Sequence, residues 1–220
     1  MNAAINTATL PMTVGNADAL DSREDPDRSL VENARAGNID AFEALVLRHQ
    51  TQIVNYAAAV MRNSNDAEDV AQQTFLRAYR ALTKFRGEST FKTWLYRIAT
   101  NVALTYLNRR DRERRIQSHS LDDDTLSVGV SAIPSRVANT ETAVVLRDAI
   151  DRALATLPND LRLAVILRDV AGLNYKDISE VTGRPIGTVE SRIFRGRQRL
   201  RLLLRTTINP RSRNEAKDDV

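Results

Sequence analysis

NYKDISEVTGRPIGTVESRIFRGRQRLRLLLR, residues 174–205, decides the fold of this 220-residue chain. Asn174 is a helix-capping type, and Asp177 three residues on completes a capping-box spacing. Ile178 and Val181 then give a short helix its buried side. Ser179 is small enough for a second helix to approach, Gly183 suits a left-handed helix end, and Pro185 forbids simple continuation. From Gly187 onward Val189, Ile193, Leu200 and Leu204 recur at helical spacing, while Arg192, Arg195, Arg197, Arg199 and Arg201 take the remaining surface. A basic run alone would be the solvated face of a C-terminal helix. The capped helix and the Gly–Pro turn before it instead predict a helix-turn-helix whose second helix fits a major groove.

Composition narrows the alternatives. Aromatic residues make up 5% of the chain and only 8 residues are glycine, which argues against a β-sandwich. Net charge is +4, but its distribution matters more than its sum. Asp18, Asp21, Glu24, Asp25, Asp27, Glu32 and Asp40 dominate the first forty residues, against Arg23, Arg28 and Arg35, so this arm should avoid DNA. A basic zone lies between 76 and 115, with Arg77, Arg80, Lys84, Arg86, Lys92, Arg97, Arg109, Arg110, Arg112, Arg114 and Arg115 outnumbering Glu88, Asp111 and Glu113. Without cysteine there is neither a disulfide framework nor a thiolate zinc site. His49 and His119 are far apart, and no metal-ligand spacing, Ser/His/Asp set or phosphate-cradling glycine loop occurs. The sequence therefore predicts no metal, no cofactor and no enzyme. No apolar run nears the ~20 residues that span a bilayer, so a cytoplasmic location without membrane insertion is expected.

Periodicity predicts an all-α fold of two small helical domains joined by a flexible linker. Residues 1–28 read as a disordered acidic arm. Helices are expected over 29–36, 40–61, 66–82 and 90–115, with Phe42, Leu45, Val46, Ile53, Tyr56, Ala57 and Val60, then Phe91, Trp94, Leu95, Ile98, Val102 and Leu107, directed inward. They form one N-terminal helical bundle over 29–115. Residues 116–140 lose the pattern in a run of Ser, Asp, Gly and Pro and read as a linker. Stretched at ~3.3 Å per residue, it could reach ~80 Å, more than two ~34 Å turns of DNA. The helix-turn-helix domain occupies 141–205, where helical spacing resumes with Leu146, Ile150, Ala153 and Leu157, then runs from Leu161 to Val170 with a stop at Gly172, and 206–220 form a tail.

Two further segments carry chemistry. DAEDVAQQTFLRAYRAL, residues 66–82, has an inward stripe of Ala71, Phe75, Ala78 and Leu82, leaving Asp66, Asp69, Gln72, Gln73, Leu76 and Arg80 on another face. FRGESTFKTWLYRIATNVALTYLNRR, residues 85–110, interleaves Phe85, Phe91, Trp94, Tyr96 and Tyr106 with Arg86, Lys92, Arg97, Arg109 and Arg110. Aromatics in a basic zone can stack unpaired bases, although Phe91 and Trp94 at helical spacing read individually as core. Phe85, beside Arg86 and Gly87 at a loop entrance, is expected to stay partly accessible.

These two segments, together with GTVESRIFRGRQRL at 187–200, resemble in sequence order the extracytoplasmic-function sigma factors, a small two-domain group of the bacterial sigma-70 family. The resemblance covers about 29–115 and 141–205. It implies a protein that binds core RNA polymerase and promoter DNA and directs transcription initiation, with an anti-sigma factor as restraining partner and stress response as setting. It implies that Asp66, Asp69, Gln72, Gln73 and Leu76 dock on the clamp helices of the largest polymerase subunit, and that the C-terminal domain meets the flap. Many relatives carry Glu where Gln73 stands. The minus-ten element is implied to meet Phe85, Arg86, Lys92, Trp94, Arg97 and Asn101, with Phe85 and Asn101 forming a pocket for a flipped base. The minus-thirty-five element is implied to meet Glu190, Ser191, Phe194 and Arg195, with Arg192 and Arg197 clamping phosphates. Some relatives place Arg where Glu190 stands, so their promoter preference does not transfer. The competing reading, a helix-turn-helix regulator that never joins polymerase, leaves the 66–82 helix and the aromatic basic segment without a role.

Overall fold

The computed structural model describes residues 25–61, 64–118 and 141–208. These residues are helical and irregular, without strands. The N-terminal unit comprises α1 (Arg28–Arg35), α2 (Ile39–Met61), α3 (Ser64–Ala81) and α4 (Phe91–Ser118). Helix α2 packs against α1, α3 and α4. Its buried Leu45, Ile53, Tyr56, Ala57 and Val60 meet Val70, Ala71 and Ala78 of α3 and Phe91, Leu95, Ala99 and Val102 of α4. The Tyr56 hydroxyl shares a 2.7 Å hydrogen bond with that of Thr100, and its ring meets Tyr96 edge-on at 5.2 Å, so this buried hydroxyl has a partner. A 3₁₀ turn at Leu82–Lys84 ends α3 and delivers the chain to the loop before α4.

The C-terminal unit comprises α5 (Glu141–Thr156), α6 (Asn159–Val165), α7 (Tyr175–Thr182) and α8 (Ile186–Ile208). Helix α6 widens at its end into a π segment, Ile166–Val170, that periodicity did not foretell. Both ends of α7 follow the expected chemistry. Asn174 accepts from the Asp177 backbone N–H at 2.8 Å, and Gly183 closes the helix in the left-handed region at φ 63°. The Asp177 side chain does not complete the capping box and is engaged elsewhere, as described below. The Ser179 hydroxyl donates to the Arg184 carbonyl at 2.6 Å and so helps hold the turn.

The first described residues belong to the acidic arm, whose last four residues are ordered instead of free. Asp27 is 1% exposed; one carboxylate oxygen accepts from Arg48 at 2.5 Å and the other meets His49 Nε2 at 2.7 Å. Burial alone would raise the Asp27 carboxyl, but the bonds from His49 and Arg48 outweigh it and hold the group below the usual carboxylate range. The remainder of the arm, His119, the segment 119–140 and the tail beyond 208 lie outside the described residues. At its other end α4 continues to Ser118, past the expected linker start at 116.

Gly196 sets the spacing of α6 and α8. A Cβ there would stand 2.5 Å from Val165 Cγ2 and 3.3 Å from the Leu161 carbonyl oxygen. Val165 is β-branched and buried, so it cannot swing aside. Gly196→Ala should therefore lose ~1–3 kcal/mol despite the better helix propensity of alanine, read as a lower thermal midpoint. Asp27 also makes stability pH-dependent. Its contribution is present above the unfolded carboxyl range near ~4 and is lost as pH falls through the depressed folded value. Acid melts of the wild type should show this extra loss, and Asp27→Asn should start less stable at neutral pH and lose less.

Candidate nucleic-acid interface

On α8 the apolar stripe does what its spacing predicts: Val189 and Ile193 are buried and Leu200 and Leu204 are half-buried. The opposite side presents Glu190, Phe194 and Arg195 to solvent, and Phe194 is 64% exposed. A phenyl ring left this open on a helix lined by arginines is poised for apolar contact such as a thymine methyl offers. Ser191 is half-buried; its hydroxyl donates to the Thr188 carbonyl at 2.9 Å and receives Arg195 at 3.3 Å. Arg195 lies back along its own helix, also bonding the Ser191 carbonyl at 3.2 Å.

The two arginines expected to clamp phosphates have carboxylate partners inside the domain. Arg192 pairs with Asp160 of α6 at 3.3 Å, and Arg197 grips both oxygens of Asp169 in the π segment. The Asp169 carboxylate raises the Arg197 guanidinium further above its ordinary value. Arg199 and Arg201 are exposed on the same helix. The acids at 160 and 169 carried no signal in the sequence, because their partners lie about thirty residues away in a geometry only the packed domain creates.

In the first unit the loop of residues 85–90 overhangs a cleft of about 470 Å³ lined by Phe85, Arg86, Trp94 and Arg97 together with Lys84, Ser89 and two acids, Glu180 and Glu88, the latter 3.9 Å from Arg86. Four of the six residues assigned to minus-ten DNA thus converge. Phe85 is 7% exposed, with its ring centroid 4.9 Å from Trp94 and 6.3 Å from Phe91, so the expected partial accessibility is not what the fold provides. Its loop position does not keep it out because the ring turns inward to complete a three-ring cluster. Asn101 is exposed farther along α4 and lines neither this cleft nor its neighbour.

Lys92 stands apart for a different reason. The C-terminal unit packs against α4 through α7 and against α2 through the π segment. Thr93 Oγ1 donates to Asp177 Oδ1 at 3.0 Å across this contact. Burial lowers the Lys92 ammonium, an effect the nearby Asp177 carboxylate opposes. Both Thr93 and the covering of Lys92 escaped the sequence reading, since nothing local marks a contact between distant helices.

On α3, Asp69 and Gln72 are exposed, Gln73 is half-buried and Leu76 is 40% exposed. Asp66 differs from the expected open position: it is half-buried and paired with Arg110 of α4 at 3.3 Å. Tyr79, one turn beyond Leu76, is exposed and packs on Phe42 at 4.9 Å. Its i+3 spacing from Leu76 would have revealed it. No helix among the described residues is long and apolar enough to cross a membrane.

Comparisons with known proteins give two separate family matches. The sigma-70 region 2 model matches residues 45–113 and the sigma-70 region 4 model matches 147–200. The RNA polymerase sigma-H factor of Pseudomonas aeruginosa is 41% identical over 179 residues, covering 80% of this chain and 92% of that protein. The ECF RNA polymerase sigma-E factor of Escherichia coli strain K12 is 40% identical over 176 residues, covering 78% and 91%. Among solved structures, the sigma factor RpoE of Bartonella quintana in complex with the anti-sigma factor NepR superposes with a TM-score of 0.61 at 27% identity, covering 76% of this chain and 98% of that one. CnrH in complex with the cytosolic domain of CnrY gives 0.60 at 28% identity, covering 81% and 96%. The chain belongs to the extracytoplasmic-function sigma factors of the sigma-70 family. Its function is promoter recognition and transcription initiation with core RNA polymerase.

The contact between the two units can be tested directly. Asp177→Lys places a second cation beside Lys92 and removes the acceptor of Thr93 while keeping the Asn174 cap. The radius of gyration from small-angle scattering should rise with helix content unchanged. An unaltered radius would mean that the packing of α2 on the π segment alone holds the units together.

Proposed function

We propose that the N-terminal unit, residues 29–115, binds core polymerase and opens the minus-ten element, and that the C-terminal unit, 141–205, reads the minus-thirty-five element, with 116–140 as the tether. The observation that carries this reading is the presence on one short chain of an arginine-rimmed aromatic cleft and a separate recognition helix with Glu190, Phe194 and Arg195 facing outward. In the cleft, Arg86 and Arg97 hold the backbone of the separated strand; Phe85 and Trp94, each 7% exposed, must turn outward before stacking stabilises an extruded base by ~1–3 kcal/mol. Asn101 contacts the strand farther along α4. Lys92 joins them once α7 moves away. On α8 Arg195 leaves Ser191 for a base edge, Glu190 accepts from a cytosine amine, and Arg192 and Arg197 exchange their carboxylates for phosphates.

The polymerase face comprises Asp69, Gln72, Gln73 and Leu76, extended by Tyr79, docking on the clamp helices, with the C-terminal unit at the flap. Asp66 supports that face through Arg110 and is secondary in the contact. The protein acts in the cytoplasm as a non-catalytic subunit. The solved complexes of its relatives with an anti-sigma factor and with CnrY favour an anti-sigma partner here as well. A regulator that never joins polymerase is disfavoured, because it would leave the region 2 match over 45–113 idle.

Run-off transcription with purified core polymerase and promoters selected from a randomised library tests the whole reading; no promoter-dependent transcript would sink it. Asp69→Lys should weaken core binding by ~2–5 kcal/mol and leave the binding of isolated upstream duplex unchanged. Arg195→Ala should lose ~1–3 kcal/mol at one base pair and relax preference there. Arg199→Ala, by contrast, should weaken all sequences alike and shallow the salt dependence by about one phosphate.

A further inference from the structure

Residues 25–27 lie upstream of both family matches, yet they are wired into the DNA-reading loop. Asp25 Oδ2 accepts from the Phe91 backbone N–H at 2.7 Å, sixty-six residues away, and Asp25 Oδ1 accepts from the Asp27 N–H at 3.1 Å. Phe91 is the first residue of α4, whose N–H has no partner within the helix. Thr90 caps the same turn from inside, its hydroxyl accepting from the Thr93 N–H at 3.1 Å. The helix start thus has two acceptors, one local and one supplied by the arm. Asp27 anchors the other side of the strap on Arg48 and His49, and the His49 ring lies 5.6 Å from Phe91. Phe91 in turn touches Phe85 and Trp94, so both ends of the 85–90 loop are tied to this network. Asp25 also lines a cleft of about 660 Å³ with Arg86, Ser89 and Thr90 of that loop.

We propose that Asp25 is a positioning residue for promoter opening: its carboxylate fixes the first turn of α4 and so holds the 85–90 loop in the frame that engages the separated strand. This rests on the reading of that loop as the minus-ten element's site. The carboxylate has a second consequence. It sits at the positive end of a 28-residue helix and balances the dipole there.

The test uses the full chain with core polymerase and compares Asp25→Ala with Asp25→Asn, which keeps one acceptor oxygen for Phe91 N–H. Permanganate reactivity reports opening on a duplex promoter and on a template already unpaired across the minus-ten element. Asp25→Ala should open duplex promoter about tenfold less, the loss of one charge-assisted hydrogen bond, with core binding unchanged and activity recovered on the unpaired template. Asp25→Asn should stay within about threefold of wild type. Emission from Trp94, the single tryptophan of the chain, should shift in Asp25→Ala and not in Asp25→Asn. Wild-type opening by Asp25→Ala overturns the proposal, as does an Asn variant as defective as Ala, or a general unfolding that the unpaired template does not bypass. Arg97→Ala, at an exposed residue of the cleft, separates the two levels. If it impairs opening while Asp25→Ala does not, positioning alone fails; if neither does, the loop reading itself fails.

Discussion

Four consecutive side chains at the start of α4 serve two faces, Phe91 and Trp94 the bundle and its loop, Lys92 and Thr93 the second unit, and most of the molecule hangs from them. Successive residues of a helix are turned by about 100°. Phe91 therefore enters the core of the bundle, Lys92 lies under the second unit, Thr93 bonds Asp177 of that unit, and Trp94 stacks on the loop residue Phe85. The backbone N–H of the first of these is held by the arm. Moving this turn by one residue would misplace the core, the loop and the domain contact together. That coupling explains why the turn carries two caps where most helices have one.

The contact between the units decides which of the two candidate nucleic-acid surfaces is open. In this arrangement the cleft of the first unit is bordered by Glu180 of α7, and Lys92 is half-buried. The second unit thus brings an acid to the place where a phosphate would come, while its own α8 keeps Glu190 and Phe194 outward. The two candidate surfaces are not equally exposed: the outer face of α8 is open, and the cleft beside the 85–90 loop is bordered by the second unit.

Much of the helical plan was legible because it is local. Gly183, Pro185 and Asn174 specify the turn and the ends of α7 through their own backbone preferences, and the structure shows the cap and the left-handed residue where those preferences put them. The stripes Ala71–Ala78 and Phe91–Val102 were legible for the same reason, since burial at helical spacing needs no knowledge of the partner. What escaped was every feature made by residues distant in sequence. Phe85 lies in a loop by its sequence neighbours, and two rings from α4 enclose it. Asp25 and Asp27 seemed part of a free acidic arm, because an arm of acids has no periodic mark for the two that find Phe91, Arg48 and His49. Asp177 carried a correct local expectation at its backbone, and a tertiary contact took its side chain.

The carboxylates that pair with Arg192 and Arg197 also affect what a salt titration would count. A free arginine meeting a phosphate displaces a condensed cation from the DNA, and the slope of affinity against salt reports the number displaced. An arginine that had to leave Asp160 or Asp169 for a phosphate would trade one ion pair for another. Such an exchange would add less affinity than the same contact made by the exposed Arg199 or Arg201, so the slope would count a contact that the binding energy hardly registers.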